Sequence, residues 1–300
     1  MHKFNHAETL MTQSTLYLSL PIYLNEALIT EHVKTTLAED IGHGDLTAAL
    51  IPPGTHASAT IISREHAVVC GCAWVQQCFE QLDAKVAIHW HVKDGDLAQP
   101  DQPLATINGD ARAMLSAERP ALNFLQTLSA VATHTRQYVD AITGLPTQIL
   151  DTRKTLPGLR LSQKYAVLTG GGANQRLALY DGILIKENHI AAAGSIAAVL
   201  KAAFTMQQTN NIQIEVETLA ELHEALDAGA KSILLDNFTL DDLRNAVTIN
   251  QKRALLEASG NVNLSTVRAI AETGVDRISI GGLTKHIQAI DLSMRIQMKL

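Results

Sequence analysis

From residue 143 onward the chain alternates short apolar runs with stretches of helical spacing, and few folds accept that pattern. The apolar runs are Thr147–Leu150, Gly182–Ile185, Ile212–Val216, Ser232–Leu235, Ala254–Leu256 and Arg277–Ile280. Between them Leu219, Leu222, Ala225 and Leu226, then Leu264, Val267, Ile270 and Ala271, recur at the three- and four-residue steps of one helix face. Thr218 with Glu221 and Thr239 with Asp242 read as helix starts, and Gly229 and Gly274 as stops. Strand–helix units joined by short loops build a parallel sheet, and this many units favour an α/β barrel.

The 300 residues allow two domains or one large barrel. Residues 25–110 read differently, as mixed α and β. Ala57, Ala59 and Ile61 mark a strand, and Val86, Ile88, Trp90 and Val92 alternate with Lys85, Ala87, His89 and His91 as a half-buried one. His89 and His91 share a face, but with no third ligand in view a solvated strand face is the better reading. Residues 111–142 are helical, and Pro120 is expected to start a second helix there, with Arg119 at the junction. The expected organisation is an N-terminal tail over 1–20, an α/β sandwich over 21–142, and a barrel over 143–285. A final helix, 286–300, is expected to return to the sandwich.

Lys and Arg number 24 against 30 Asp and Glu, a net charge of −6, which suits neither nucleic acid nor an anionic membrane as partner. No run reaches the ~18 apolar residues of a membrane span. Cys70, Cys72 and Cys78 lack a fourth ligand at a metal-site spacing and read as buried thiols of a reducing cytoplasm.

The residues that close the strands carry the chemistry. The first run ends Asp151-Thr152-Arg153-Lys154, the second Lys186-Glu187-Asn188-His189, and the third carries Glu215 and Glu217 on one face. The fourth ends Asp236-Asn237, the fifth Glu257-Ala258-Ser259-Gly260-Asn261, the sixth Ser279-Ile280-Gly281-Gly282. In a barrel these ends converge on one mouth. Arg153, Lys154, Lys186 and Arg176 there call for an anion, because unpaired buried charge is costly. Glu215 and Asp236 suit Mg2+, which takes one or two carboxylates plus substrate phosphate oxygens. The glycine-bearing loops after the last two strands suit a phosphate. Spacing alone therefore gives a small multi-anionic substrate, one phosphate-bearing, with a divalent metal. Gly170-Gly171-Gly172 has the composition of a phosphate cradle but lacks the G-K-[ST] that completes a P-loop, and a helix stop or tight packing is at least as good a reading. His189 reads equally as a ligand contact or a loop support.

At these residues the chain resembles the quinolinate phosphoribosyltransferase family, the carboxylating nicotinate-nucleotide pyrophosphorylases. The stretches that carry the resemblance are EDIGHGDLT (39–47), ERPALNFLQTLSAVAT (118–133), ILDTRKTLPGLRLSQKYAV (149–167), GGGANQR (170–176), GILIKENHI (182–190), IEVETLAEL (214–222), ILLDNF (233–238), LEASGNV (256–262) and DRISIGGLTKH (276–286). A related molybdenum-transport-associated protein looks less like the IKENH stretch. The resemblance implies an N-terminal α/β sandwich with an incomplete, open α/β barrel of parallel strands. It implies a cytoplasmic pentosyltransferase of NAD biosynthesis, acting on quinolinate and phosphoribosyl pyrophosphate with Mg2+. Arg153, Arg176 and Lys186 would bind the two quinolinate carboxylates, with Thr152 and Gln175 beside them. Arg119 would reach in from the second subunit of a homodimer. Lys154, Glu215 and Asp236 would serve phosphoribosyl pyrophosphate and the metal, and these three with Lys186 would be the catalytic set. Ser259, Gly260 and Asn261, with Ile280, Gly281 and Gly282, would hold the 5′-phosphate.

Three positions depart from the family pattern. Gln175 stands where His is usual, Pro120 where Thr is usual, and Ala130 where Gly is usual. None removes a charged member of the set, so activity is expected to be retained. Two rival readings remain open: a barrel lyase forming a Schiff base on a desolvated Lys186, and a non-catalytic anion-binding protein.

Overall fold

The computed structural model describes residues 20–206 and 212–298. The tail expected over 1–20 lies, apart from Leu20, outside the described residues. Two compact units emerge. One ends at Thr133 and takes up the chain again from Gln288, and the other is His134–Ile287. The boundary expected at 142/143 thus falls earlier, inside a helix.

The first unit opens with helix α1 (Glu26–Ile41), capped by Asn25, whose Oδ1 accepts from Leu28 N at 3.0 Å. Ile29, Val33 and Leu37 recur every four residues and form its buried face. Strand β1 (His56–Ser63) alternates as expected, with Ala57, Ala59 and Ile61 inward. A two-residue strand β2 (Ala67–Val68) leads to helix α2 (Cys72–Glu80). Strands β3 (Ala87–Trp90), β4 (Leu97–Ala98) and β5 (Pro103–Asp110) follow. All three cysteines are buried and unbridged, and burial pushes the Cys72 and Cys78 thiols upward, which makes them inert. His89 and His91 stack edge to face, 4.9 Å between centroids.

Helix α3 (Ala111–Ala141) runs through Pro120 without a break, so the two helices expected there are one. Proline removes only the bond its own N–H would make to the Ser116 carbonyl. Met114, Ala117, Ala121, Leu122, Leu125, Leu128 and Ala132 form an unbroken buried stripe on either side, and that packing carries the helix across the gap.

The second unit holds six parallel strands: β6 (Gln148–Leu150), β7 (Ile183–Ile185), β8 (Ile212–Val216), β9 (Ser232–Asp236), β10 (Leu255–Ser259) and β11 (Arg277–Ser279). Their spatial order is β6-β11-β10-β9-β8-β7, with β6 and β7 as edges, so the barrel is open. The helices are α4 (Arg160–Thr169), α5 (Glu187–Ala193), α6 (Ile196–Thr205), α7 (Leu219–Asp227), α8 (Leu240–Asn250), α9 (Val267–Ala271) and α10 (Gly282–Lys285). Thr218 and Thr239 cap α7 and α8, each accepting a backbone N–H at 3.2 Å. Gly170 caps α4, and a side chain at Gly172 would stand 2.9 Å from Thr135 and Val167, so the triple glycine serves packing.

The chain ends differently from expectation. In place of a helix over 286–300, strand β12 (Leu292–Met298) pairs antiparallel with β1, from Ser63 with Leu292 to Ala57 with Met298. Met294 and Ile296 alternate with Ser293, Arg295 and Gln297, a two-residue period that a helix cannot place on one side. The first unit's sheet is therefore β12-β1-β5-β3, with its last strand drawn from the far end of the chain. Ending the chain after Ile290 strips β1 of that partner. It is expected to lower the melting temperature by about 5 °C or more, read by circular dichroism. An unchanged melting curve would show that β12 adds no stability.

Candidate active site

The C-terminal ends of the six strands follow one another around the arc of the second unit. Residues 151–154 leave β6, 280–282 leave β11, and 259–261 leave β10. Asp236 closes β9, Glu215 sits near the end of β8, and Lys186 follows β7. The order places the cationic segments at the two edges, with the glycine loops and the carboxylates between them.

A buried ion pair builds the β6 edge. Asp151 and Lys164, the latter on α4, both have side chains with no exposure, and Lys164 Nζ donates to Asp151 Oδ1. Asn174 Nδ2 donates to Asp151 Oδ2 at 2.7 Å, and the backbone N–H of Gln175 to Oδ1 at 2.9 Å. Lys164 Nζ also reaches the Gln175 carbonyl at 3.0 Å. Burial pushes the Asp151 carboxyl up to about 6 and pulls the Lys164 amine down, so desolvation outweighs mutual attraction on both sides. Ala173 bridges Leu150 along the free edge of β6. Together these bonds carry Gln175 and Arg176 to the strand end, beside Arg153.

Burial, and then the positive charge of nearby Arg153, lowers the pKa of Arg176, while the carboxylate of Asp181 opposes that shift. Arg176 Nη1 donates to the Gly182 carbonyl at 2.9 Å. Arg153 Nε is buried without a hydrogen-bond partner. Among the described residues no carboxylate lies within 4.0 Å of Arg153, Lys154 or Arg176. Asp181 offsets part of the Arg176 charge from beyond ion-pair distance, and the remaining positive charge favours a bound anion.

Lys154 stands over the β11 loop. Its backbone N–H donates to Thr152 Oγ1 at 3.0 Å, and its carbonyl accepts from Thr284 Oγ1 at 2.8 Å. A Cβ on Gly281 would meet Lys154 Cδ at 2.8 Å. Gly260 has φ +102°, and a Cβ there would meet Asn237 Oδ1 at 2.2 Å. Glycine is required at 260, where φ is positive and Asn237 fills the space, whereas at 281 a side chain would have to displace the flexible Lys154 stem. Asn237, itself left-handed with φ +56°, donates from Nδ2 to Asp236 Oδ2 at 2.9 Å and accepts from Asn261 Nδ2 at 3.3 Å.

At the β7 edge Lys186 Nζ meets Glu215 Oε2 at 2.6 Å, with side chains 43% and 10% exposed. The exposure of Lys186 removes the desolvation that a Schiff-base lysine depends on. His189 turns back on its own loop: its Nδ1 accepts from the Lys186 backbone N–H at 3.0 Å. Of its two sequence readings, loop support is the one the geometry favours.

Arg119 belongs to the first unit, where it is exposed on α3. The remaining sequence-selected residues all belong to the strand ends of the second unit. Two interior residues escaped selection. Glu257 lies within β10, not beyond its end as the shorter run Ala254–Leu256 implied, and is 1% exposed. Gln213 on β8 is buried too. A charge inside an apolar run was the available signal for Glu257. Gln213 carried none.

The open parallel barrel and its cation-rich mouth define a class: an α/β enzyme fold that takes a small, multiply anionic ligand. The family model for the N-terminal domain of quinolinate phosphoribosyl transferase matches residues 45–129, and that for its C-terminal domain residues 131–295. The chain belongs to the quinolinate phosphoribosyltransferase family. It is 42% identical over 274 residues to a probable carboxylating nicotinate-nucleotide pyrophosphorylase of Bacillus subtilis, covering 91% of this chain and 95% of that one. The nicotinate-nucleotide pyrophosphorylase structure from Francisella tularensis is 43% identical, with a TM-score of 0.89 over 91% of this chain and 98% of that one. A chloroplastic carboxylating nicotinate-nucleotide pyrophosphorylase of Arabidopsis thaliana is 39% identical over 89% of this chain and 82% of that one.

Replacing Lys164 with Met leaves Asp151 buried and unpaired. Lys164→Met is expected to lose about 3–5 kcal/mol of stability, measured by urea unfolding. A loss below 1 kcal/mol would show that the pair does not hold the loop.

Proposed function

We infer that the chain transfers the phosphoribosyl group of phosphoribosyl pyrophosphate to the nitrogen of quinolinate, with decarboxylation. The products are nicotinate mononucleotide, pyrophosphate and CO2, and the role is NAD biosynthesis. The observation that carries this reading is the set Arg153, Lys154 and Arg176, cations with no carboxylate within 4.0 Å among the described residues, one with a buried N–H unspent. Quinolinate brings two carboxylates, and guanidinium groups match planar carboxylates. Family membership supplies the identity of that dianion.

Arg153, Arg176 and Lys186 hold the carboxylates, with Thr152 and Gln175 beside them. The loops Ser259–Asn261 and Ile280–Gly282 receive the 5′-phosphate through backbone N–H groups, and their glycines allow the close approach. Glu215 and Asp236, on adjacent strands, suit Mg2+ as two carboxylates completed by substrate phosphate oxygens. Bound there, the metal supplies charge neutralisation for the pyrophosphate. Lys154 adds a second positive charge to that leaving group.

The quinolinate nitrogen forms a bond to ribose C1 as the C1–O bond to pyrophosphate breaks. C1 gains cationic character meanwhile, and the carboxylate of Glu215 opposes that charge. The electron pair released when CO2 leaves stays on the carbon beside nitrogen, where the adjacent pyridinium charge stabilises it. That carbon then takes a proton from water. The positive ring nitrogen supplies the stabilisation, so no lysine adduct enters the sequence.

The homodimer, with Arg119 crossing into the partner's site, belongs to this proposal. Its support is that Arg119 is exposed and has no carboxylate within 4.0 Å among the described residues. A cytoplasmic setting agrees with three buried cysteines that form no disulfide. No described helix is long and apolar enough to cross a membrane.

The direct test is incubation with quinolinate labelled in its 2-carboxylate, phosphoribosyl pyrophosphate and Mg2+. Labelled CO2 and nicotinate mononucleotide are expected in equal amounts, and absence of both would refute the reading. Arg153→Ala should raise the quinolinate KM or lower kcat by a combined factor of about 10²–10³ with an unchanged melting curve. Unchanged kinetics would remove Arg153 from the site. Mixing Arg119→Ala subunits with Lys186→Ala subunits should restore part of the activity that each lacks alone. If no mixture recovers any, each site is built from one subunit.

A further inference from the structure

Behind Gln175 runs a line of buried polar side chains that the reaction does not explain. Gln175 Nε2 donates to Gln213 Oε1 at 2.8 Å, and Gln213 Nε2 donates to Glu257 Oε2 at 2.9 Å. Glu257 is 1% exposed, and its Oε1 has no hydrogen-bond partner. The sheet register explains the reach. Glu215 and Glu257 both align with Leu234 on β9, so they share a layer on one face, two strands apart. Gln213, two residues before Glu215 on β8, is on that same face. A carboxylate buried in a barrel interior with half its acceptor capacity unused is costly, and stability does not account for it.

The chemistry of the line gives it a direction. An ionised carboxylate only accepts hydrogen bonds. Gln213 must therefore turn its NH2 group to Glu257, which leaves its carbonyl oxygen for Gln175. Gln175 must in turn present its own NH2 group. The second N–H of that nitrogen is then available to a substrate carboxylate held by the neighbouring Arg176. Were the line reversed, Gln175 would offer a carbonyl oxygen to an anion, which repels it.

We propose that Glu257 is a positioning residue that acts through Gln213 to fix the orientation of the Gln175 carboxamide, so that Gln175 donates to a quinolinate carboxylate. The proposal rests on the placement of quinolinate beside Gln175 and Arg176. It gives Gln175, where the family pattern has His, a defined way to remain a donor. Histidine chooses between donor and acceptor by tautomer, whereas a carboxamide chooses by rotation, and rotation is what a fixed charge at the inner end can control.

The test is Glu257→Gln. A carboxamide at 257 can donate or accept, so both directions of the line become accessible. The quinolinate KM is expected to rise about tenfold, with the phosphoribosyl pyrophosphate KM and the melting temperature held near those of the parent. Loss of a nearby buried anion acting only through its charge would instead lower the quinolinate KM, and a purely structural role would move both KM values together. Either result overturns the proposal. In a Gln175→Ala background the Glu257→Gln change should add nothing, and a full tenfold effect there would also overturn it. If Glu257→Gln does not fold, Gln213→Asn gives the same reading, because its shorter amide cannot reach both neighbours. A parent protein that converts quinolinate beside folded variants that keep its KM refutes the line alone. A parent that neither binds nor converts quinolinate refutes the site and the line together.

Discussion

Asp151 and Lys164 face each other with no solvent around them, and three segments depend on that contact. The carboxylate ends β6, the amine projects from α4, and the remaining oxygen valences of Asp151 take the Asn174 side chain and the Gln175 backbone. The pair is costly to desolvate, as the opposed shifts of the two groups show. What it provides is position. The loop that carries Gln175 and Arg176 has no regular structure of its own, and Ala173 makes only a single bridge to the edge of β6. Without that buried charge to close around, the bond from Arg176 to the Gly182 carbonyl would be left to hold Arg176 with less support from its own loop.

The positive charge at this edge is the functional half of the design. Among the described residues Arg153, Lys154 and Arg176 stand at one end of the arc without an ion-paired carboxylate, while Lys186 at the other end is paired with Glu215. The site is thus asymmetric, with a strongly cationic side for a dianion and a side where carboxylates can meet a metal and a ribosyl cation. Gly260 and Gly281 occupy the middle, where Asn237 leaves no room for a side chain at 260 and the Lys154 stem lies against 281. Catalysis by preorganised charge requires such fixed partners, since mobile ones would spend binding free energy on reorganisation.

The barrel was legible in the sequence because its strands are buried on both sides and its helices on one, which gives two distinct periods in alternation. The strand-end residues were legible for the same reason, since locating a strand also locates its end. Three things were hidden. The helix through Pro120 depends on an apolar stripe long enough to outweigh one lost hydrogen bond. The strand Leu292–Met298 finds its partner more than 200 residues away, at β1, which no local pattern encodes. Glu257 was placed in a loop because β10 was drawn short, and its burial is a property of the layer it shares with Leu234 and Glu215. Lys164 and Gln213 became informative only when their partners were known.

The account turns on whether these cations receive the two carboxylates of quinolinate. A crystal structure with quinolinate bound decides this directly. The expected result places one carboxylate within about 3 Å of Arg153 Nε and the other carboxylate against Arg176 or Lys186. The pyridine nitrogen should face the side where Glu215 and Asp236 stand. Quinolinate bound elsewhere, or bound here with Arg153 Nε still without a partner, would contradict the account.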